Sequence, residues 1–324
     1  MSNFLDISKW KLSLLSGLLI GLAYPPSPLG FLAWFGLIPL IHILLNSSIS
    51  DSLKWSFITG IIVNSITVYW FGLNSGAGFT SAIISMIAAI IYLSIFWAIL
   101  GLVSNWYHKK TGYGLSIFPL LWVSIEYLRS FGPLSFPWIN LGLTQTFSLP
   151  LIQIADVTGS MGISFWVVML NIIIYNATYS KIAKKKIIVF ATFILLTIFL
   201  LGSFRMYFIQ NKDTINEIST AIVQPNIDPN LKWEERFRDR IFNTMDSLHN
   251  EAIKLNPDFI LWPEAALPTY LRLNYSTKRS ILQKVKESNI PLLTGTPDRI
   301  KSKSNQLDYY NAAMFIKPDG STKM

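Results

Sequence analysis

The chain has 324 residues, of which 51% are hydrophobic and only 14% charged, against about 25% charged in an ordinary soluble protein. Its net charge is +9, and it contains no cysteine, which excludes disulfides, thiolate metal sites and a cysteine nucleophile within this sequence. His42, His108 and His249 are scattered without metal-ligand spacing, so no metal and no other cofactor is expected.

Charge divides the chain in two. Residues 1–208 hold 11 Lys/Arg and 4 Asp/Glu, whereas residues 209–324 hold 16 and 14. The first part therefore reads as a transmembrane helical domain and the second as a soluble one.

A helix that crosses a bilayer needs about 20 mostly apolar residues. Seven stretches approach this, at 10–24, 29–46, 53–73, 79–106, 114–131, 161–179 and 187–208. The first is short and ends at Pro25-Pro26. It reads as a retained span, because no small-residue cleavage site follows it as a signal peptide would require. With the N-terminus inside, the cytoplasmic segments collect nine lysines: Lys9, Lys11, Lys54, Lys109, Lys110, Lys181, Lys184, Lys185 and Lys186. The opposite connections at 25–28 and 74–78 carry no charge, and 132–160 carries only Asp156. This asymmetry follows the positive-inside rule, places residues after Phe208 on the outer face and accounts for the surplus charge without nucleic acid.

The connection after the fifth stretch contains Gly132, Pro133, Phe136, Pro137 and Trp138, too apolar for a solvated loop. It is expected in the outer interface or re-entering the bilayer against protein. Glu126 and Arg129, three residues apart on the fifth stretch, share a helix face. Two readings stay open for them, a functional site within the membrane and an ion pair that anchors helices.

From Glu217 the pattern becomes β–α–β, which implies an α/β domain. Strands are expected at 218–223, 258–262, 291–295 and 309–316, with amphipathic helices at 234–255 and 277–288. Pro318-Asp319-Gly320 is a turn that calls for a returning strand, yet the sequence stops at Met324, so an open sheet edge is expected. Glu264 directly follows an apolar strand in Leu261-Trp262-Pro263-Glu264-Ala265-Ala266. Ligands gather at the carboxyl ends of such strands, and a carboxylate partly desolvated by Trp262 and Pro263 suits a general base. A carboxylate that merely starts a helix is the plainer reading.

Trp262-Pro263-Glu264-Ala265-Ala266-Leu267-Pro268 resembles the glutamate motif of the carbon–nitrogen hydrolase, or nitrilase-like, superfamily. Val223-Gln224-Pro225-Asn226-Ile227 with Leu231-Lys232-Trp233 is similar to the first strand and loop of its membrane-bound branch, the apolipoprotein N-acyltransferases. Tyr310-Asn311-Ala312-Ala313, Tyr24-Pro25-Pro26, Glu126-Tyr127-Leu128-Arg129-Ser130, Phe136-Pro137-Trp138 and Gly159 to Phe165 resemble further segments in the same order. The resemblance implies seven transmembrane helices in 1–208, followed in 209–324 by the N-terminal part of an αββα hydrolase domain. It implies transfer of an acyl chain from a phospholipid, through a cysteine thioester, to the N-terminal amine of a diacylated apolipoprotein. Glu264 matches the general base and Trp233 a tryptophan on a mobile loop. Trp138, with Pro137, matches the membrane loop that guides lipid chains, and Glu126 and Arg129 match the span before it. The setting implied is the bacterial inner membrane, with the protein a monomer.

The family's oxyanion lysine, its cysteine and its last span would all follow Met324. The sequence is thus expected to be truncated at the C-terminus and inactive as it stands. The alternative is a non-catalytic module that binds lipid or lipoprotein. A transporter would need ionisable groups in several spans, where this chain offers only Glu126 and Arg129.

Overall fold

The computed structural model describes residues 7–74, 76, 78–113, 115–179, 184–212, 217–302 and 305–324. Lys181, Gly114 at the start of the expected fifth stretch, and Ser75 and Ala77 of one expected connection lie outside the described residues. The chain forms two compact units, Met1–Lys212 and Asp213–Met324.

The first unit is helical. Its helices are α1 (Lys9–Leu22), α2 (Ile38–Asn46), α3 (Ile49–Thr67), α4 (Phe79–Thr111), α5 (Phe118–Leu128), the single turn α6 (Leu149–Ile152), α7 (Ala155–Tyr179) and α8 (Lys184–Gln210). Among the described residues, three helical stretches are long and apolar enough to cross a membrane: Phe79–Thr111, Ala155–Tyr179 and Val189–Gln210. The other expected spans are shorter or broken. α1 has 14 residues and α5 has 11, and Pro119 opens α5. The second stretch divides into a 3-10 turn, Gly30–Trp34, and the nine-residue α2. α3 has the length, at 19 residues, but carries Asp51, Lys54 and several hydroxyl side chains. Gly78 and Gly112 flank α4 with left-handed backbone, and the Gly112 N–H returns to the His108 carbonyl.

Breaks inside an apolar unit demand partners for the freed backbone groups, and side chains supply them. Asn171 of α7 accepts from Leu37 N at 2.9 Å and donates to Ala33 O at 2.7 Å. Gln145 donates to Gly30 O at 2.9 Å and accepts from Trp34 Nε1 at 2.8 Å. Tyr24 donates to Ile139 O at 2.8 Å. Around these links Leu37, Leu40, Leu93, Phe118, Leu141 and Val167 form a core with almost no exposed surface.

The second unit is a five-stranded mixed sheet with two helices. Its order is β1 (Thr220–Ile222), β2 (Phe259–Leu261), β3 (Leu292–Lys301), β4 (Leu307–Ile316) and β5 (Thr322–Lys323). β1, β2 and β3 run parallel, and β4 and β5 each pair antiparallel with the strand before. The parallel pairs are joined through α9 (Arg238–Lys254) and α10 (Tyr275–Ser288), as parallel strands require. Met245 of α9 and Ile281 and Val285 of α10 join Ala221, Ile260, Leu292, Met314 and Ile316 of the sheet in one core. The third strand is twice the expected length, because Leu292, Thr294, Thr296 and Asp298 bury alternate side chains through to a hairpin with β4. After the turn at 317–320, Thr322 and Lys323 pair with Ile316 and Phe315, while along the rest of β4, residues 307–314, no further strand pairs on that side among the described residues, so the expected open edge is present there.

Candidate functional site

Functional side chains expected from the sequence fall into two groups, one in each unit. In the second unit, Trp262 follows β2 directly as a buried side chain, its ring edge-on to His249 at 5.4 Å. The following turn is tacked onto β3 by Trp262 N to Leu293 O at 2.8 Å and Ala266 N to Gly295 O at 3.1 Å. Between these bonds Ala265 adopts φ 45°, in the left-handed region that L-residues with a Cβ seldom enter. The turn can lie this close to β3 because residue 295 is glycine. A Cβ there would stand 2.6 Å from Glu264 Cα and 2.8 Å from Pro263 O.

Glu264 projects from this turn and is exposed, not partly desolvated as the sequence suggests, because Trp262 turns inward to the core. It is not the start of a helix, since the residues up to 274 form turns ahead of α10. Its Oε1 accepts from Asn311 Nδ2 on β4. Lys232 Nζ donates to the Glu264 carbonyl at 3.2 Å. Burial of the Lys232 ammonium pushes its pKa below the usual lysine range, and the Glu264 charge opposes that shift. Lys232 sits in a loop shaped by Asp228, whose carbonyl accepts from Leu231 N and Lys232 N. The next residue, Trp233, is 59% exposed. Glu264, Lys232 and Trp233 thus belong to two loops that touch.

In the first unit, Glu126 and Arg129 are both buried, and neither is the other's ion-pair partner among the described residues. Glu126 Oε1 accepts from Trp122 Nε1 at 2.9 Å and from Leu141 N at 2.7 Å. Arg129 Nη2 donates to Asn140 Oδ1 at 2.9 Å. The reading of an anchoring ion pair is therefore corrected: the two charges fasten the loop beyond α5. Pro137 opens a 3-10 turn on that loop. Trp138 stands on it, 59% exposed, with its ring 6.0 Å from Trp70 and 5.0 Å from Phe136.

Sequence reasoning passed over Asn311, Lys232, Gly295, Trp122 and Asn140 as site residues. Trp122 stands four residues before Glu126, a helical-neighbour spacing that was legible. Asn311 and Gly295 depend on strand register, for which a single sequence holds no signal.

Residues 16–173 match the family model described as "Apolipoprotein N-acyltransferase N-terminal domain". The chain is 28% identical over 325 residues to the apolipoprotein N-acyltransferase of Geobacter metallireducens, covering 96% of this chain and 61% of that protein. It is 30% identical over 336 residues to that of Chlorobaculum tepidum, covering 95% and 61%. With the Haemophilus influenzae protein it shares 26% over 301 residues, covering 89% and 55%. The chain thus spans about three fifths of the length of the curated relatives it matches. The membrane part thus matches the family's own domain, and the similarity to apolipoprotein N-acyltransferases runs on through the Glu264 turn over nearly the whole chain.

Proposed function

We propose that this chain supplies the membrane domain and the general base of a phospholipid-dependent N-acyltransferase of the bacterial inner membrane. In this reading residues 1–208 cross the bilayer seven times, with the shorter helices packed within the bundle. Residues 209–324 form part of a nitrilase-like domain on the outer face. The nine lysines on one side of the expected topology support that orientation.

The reaction proceeds in two steps. A cysteine thiolate attacks the ester carbonyl of a phospholipid, forms a thioester and releases a lysophospholipid. The amine of a diacylglyceryl-cysteine then attacks the thioester, forms an amide and returns the thiol. Glu264 accepts the thiol proton and passes it to the departing glycerol oxygen; in the second step it accepts the amine proton. Trp233 closes over the site. Trp138 and Pro137 guide the acyl chain, while Glu126 and Arg129 hold their loop. The acceptor is a diacylated apolipoprotein, and the working unit is a monomer.

The observation that carries this reading is the Glu264 turn: an exposed carboxylate, aimed by Asn311, on a backbone that only Gly295 admits. No cysteine occurs among the 324 residues, so these residues alone are proposed to bind substrate without turning it over. The test is acyl transfer from phosphatidylethanolamine to a diacylated lipopeptide. Robust turnover by the 324-residue chain would overturn the proposed inactivity. The missing thiol also favours a second reading, a lipid- or lipoprotein-binding module without catalysis. Under that reading Glu264→Gln leaves every measurable property unchanged.

A further inference from the structure

The second unit has an open cleft of about 740 Å³ whose lining includes Trp233, Arg238, Thr269, Tyr270, Tyr275 and Arg299. It contains two arginines and no carboxylate. Arg299 projects from β3 and lies over the Tyr270 ring at 4.9 Å, and Arg238 opens α9 with its guanidinium 5.7 Å from the Phe242 ring. Among the described residues neither arginine has an ion-pair partner. The nearest acid in sequence to Arg299, Asp298, is buried and held by Arg272 Nε at 2.9 and 3.1 Å. The start of α10 at the cleft does not supply the site, because Asn274 already caps it by accepting from Thr277 N.

Two unneutralised guanidinium groups beside one cleft favour an anion with several oxygens, which the planar fork binds through paired N–H groups. A carboxylate holds its two oxygens in one plane; a phosphate group sets its oxygens tetrahedrally, so two separate forks can approach it from different directions. The remaining walls are aromatic, with Trp233, Tyr270 and Tyr275 presenting apolar faces and polar tips that suit an amphipathic ligand. Trp233 joins this cleft to the Glu264 turn through its neighbour Lys232. We propose that this cleft binds a phosphate-bearing anion, the phosphodiester headgroup of the acyl donor, through Arg238 and Arg299. Naming a lipid as the source rests on the function proposed above; the anion site itself does not.

The experiment titrates the full 324-residue chain, in a neutral maltoside detergent, with glycerophosphoethanolamine and separately with inorganic phosphate. Binding is read from ³¹P line widths. R238Q, R299Q and the double variant are compared with K286Q, which removes one positive charge on α10 away from the cleft. Both probes are expected to bind wild type and K286Q, with glycerophosphoethanolamine at least about fivefold tighter. The double variant is expected to lose about tenfold or more for both, and binding to wild type weakens with added salt. Unchanged binding by the double variant overturns the site. Equal affinity for the two probes overturns the lipid headgroup and leaves a simple phosphate site. Acyl transfer is assayed separately, in a chimera that joins residues 1–324 to the remaining C-terminal part of the Geobacter metallireducens relative: a folded chimera that binds without transfer breaks the proposed function alone, and transfer indifferent to both arginines breaks this inference alone.

Discussion

Asn311 reaches from β4 to the Glu264 carboxylate, joining the antiparallel hairpin to the turn that ends β2. The bond lies at the surface, so it contributes little to stability and much to where the carboxylate points. Asn311→Ala is expected to change the stability of the second unit by less than about 1 kcal/mol. In an acyl-transfer assay of an active, relative-length protein it is expected to lower kcat about tenfold or more with KM nearly unchanged. A matched fall in stability and rate would make Asn311 only a structural residue.

Gly295→Ala is expected to do the reverse. The new Cβ would meet Glu264 Cα and Pro263 O, backbone atoms that cannot rotate away. Overpacking of this kind costs about 1–3 kcal/mol. Hydrogen exchange of β2 and β3 in the intact chain should report that loss together with displacement of the 262–266 turn. Wild-type protection would show that the turn tolerates a side chain.

His249 is buried, and among the described residues neither of its ring nitrogens has a hydrogen-bond partner. Burial pushes its pKa below the ordinary histidine value; the Lys284 ammonium lowers it further and Asp246 opposes both. Neutral imidazole is therefore the folded form. The unfolded chain takes up a proton near pH 6.5 and the folded one only at lower pH. Stability is full above about pH 6.5 and falls as pH drops below it, by up to about 1.4 kcal/mol per pH unit until the folded group itself titrates. Hydrogen exchange of α9 measured between pH 7.5 and 5 should show this slope, and His249→Phe should flatten it. An equal slope in the variant would assign the effect elsewhere.

The loop bearing Trp138 depends on Glu126. Glu126→Ala leaves the Leu141 N–H and the Trp122 indole N–H unpaired in a buried setting, at a cost of about 2–5 kcal/mol. Glu126→Gln keeps an acceptor oxygen and is expected to cost less. Protease access to residues 132–145 in detergent should rise for the alanine variant before the helices melt. Equal access in both variants would contradict the clamp.

The legible and illegible parts divide by physical origin. The low charge density up to residue 208 and the apolar runs of α4, α7 and α8 are local properties, so the helical unit could be read from them. The amphipathic spacing of Phe237, Ile241, Met245, Leu248 and Ile253 likewise showed α9. Glu264 stood out because its strand and its Trp-Pro neighbours are contiguous. The break ahead of the short α2 was less legible, because hydropathy does not register where Asn171 and Gln145 replace helical hydrogen bonds. The inward turn of Trp262 that leaves Glu264 exposed, and the partners Asn311 and Gly295, are set by strand pairing between distant segments.

The most direct test of the central claim joins residues 1–324 to the remaining C-terminal part of the Geobacter metallireducens relative and measures acyl transfer from phosphatidylethanolamine to a diacylated lipopeptide. Monodisperse protein and wild-type hydrogen exchange in β1–β4 establish that each chimera is folded. The folded chimera is expected to transfer the acyl chain, and Glu264→Gln within it to reduce the rate by about 10²–10⁴-fold. A folded chimera that transfers nothing, or one whose rate is unchanged by the Glu264→Gln substitution, would contradict the account.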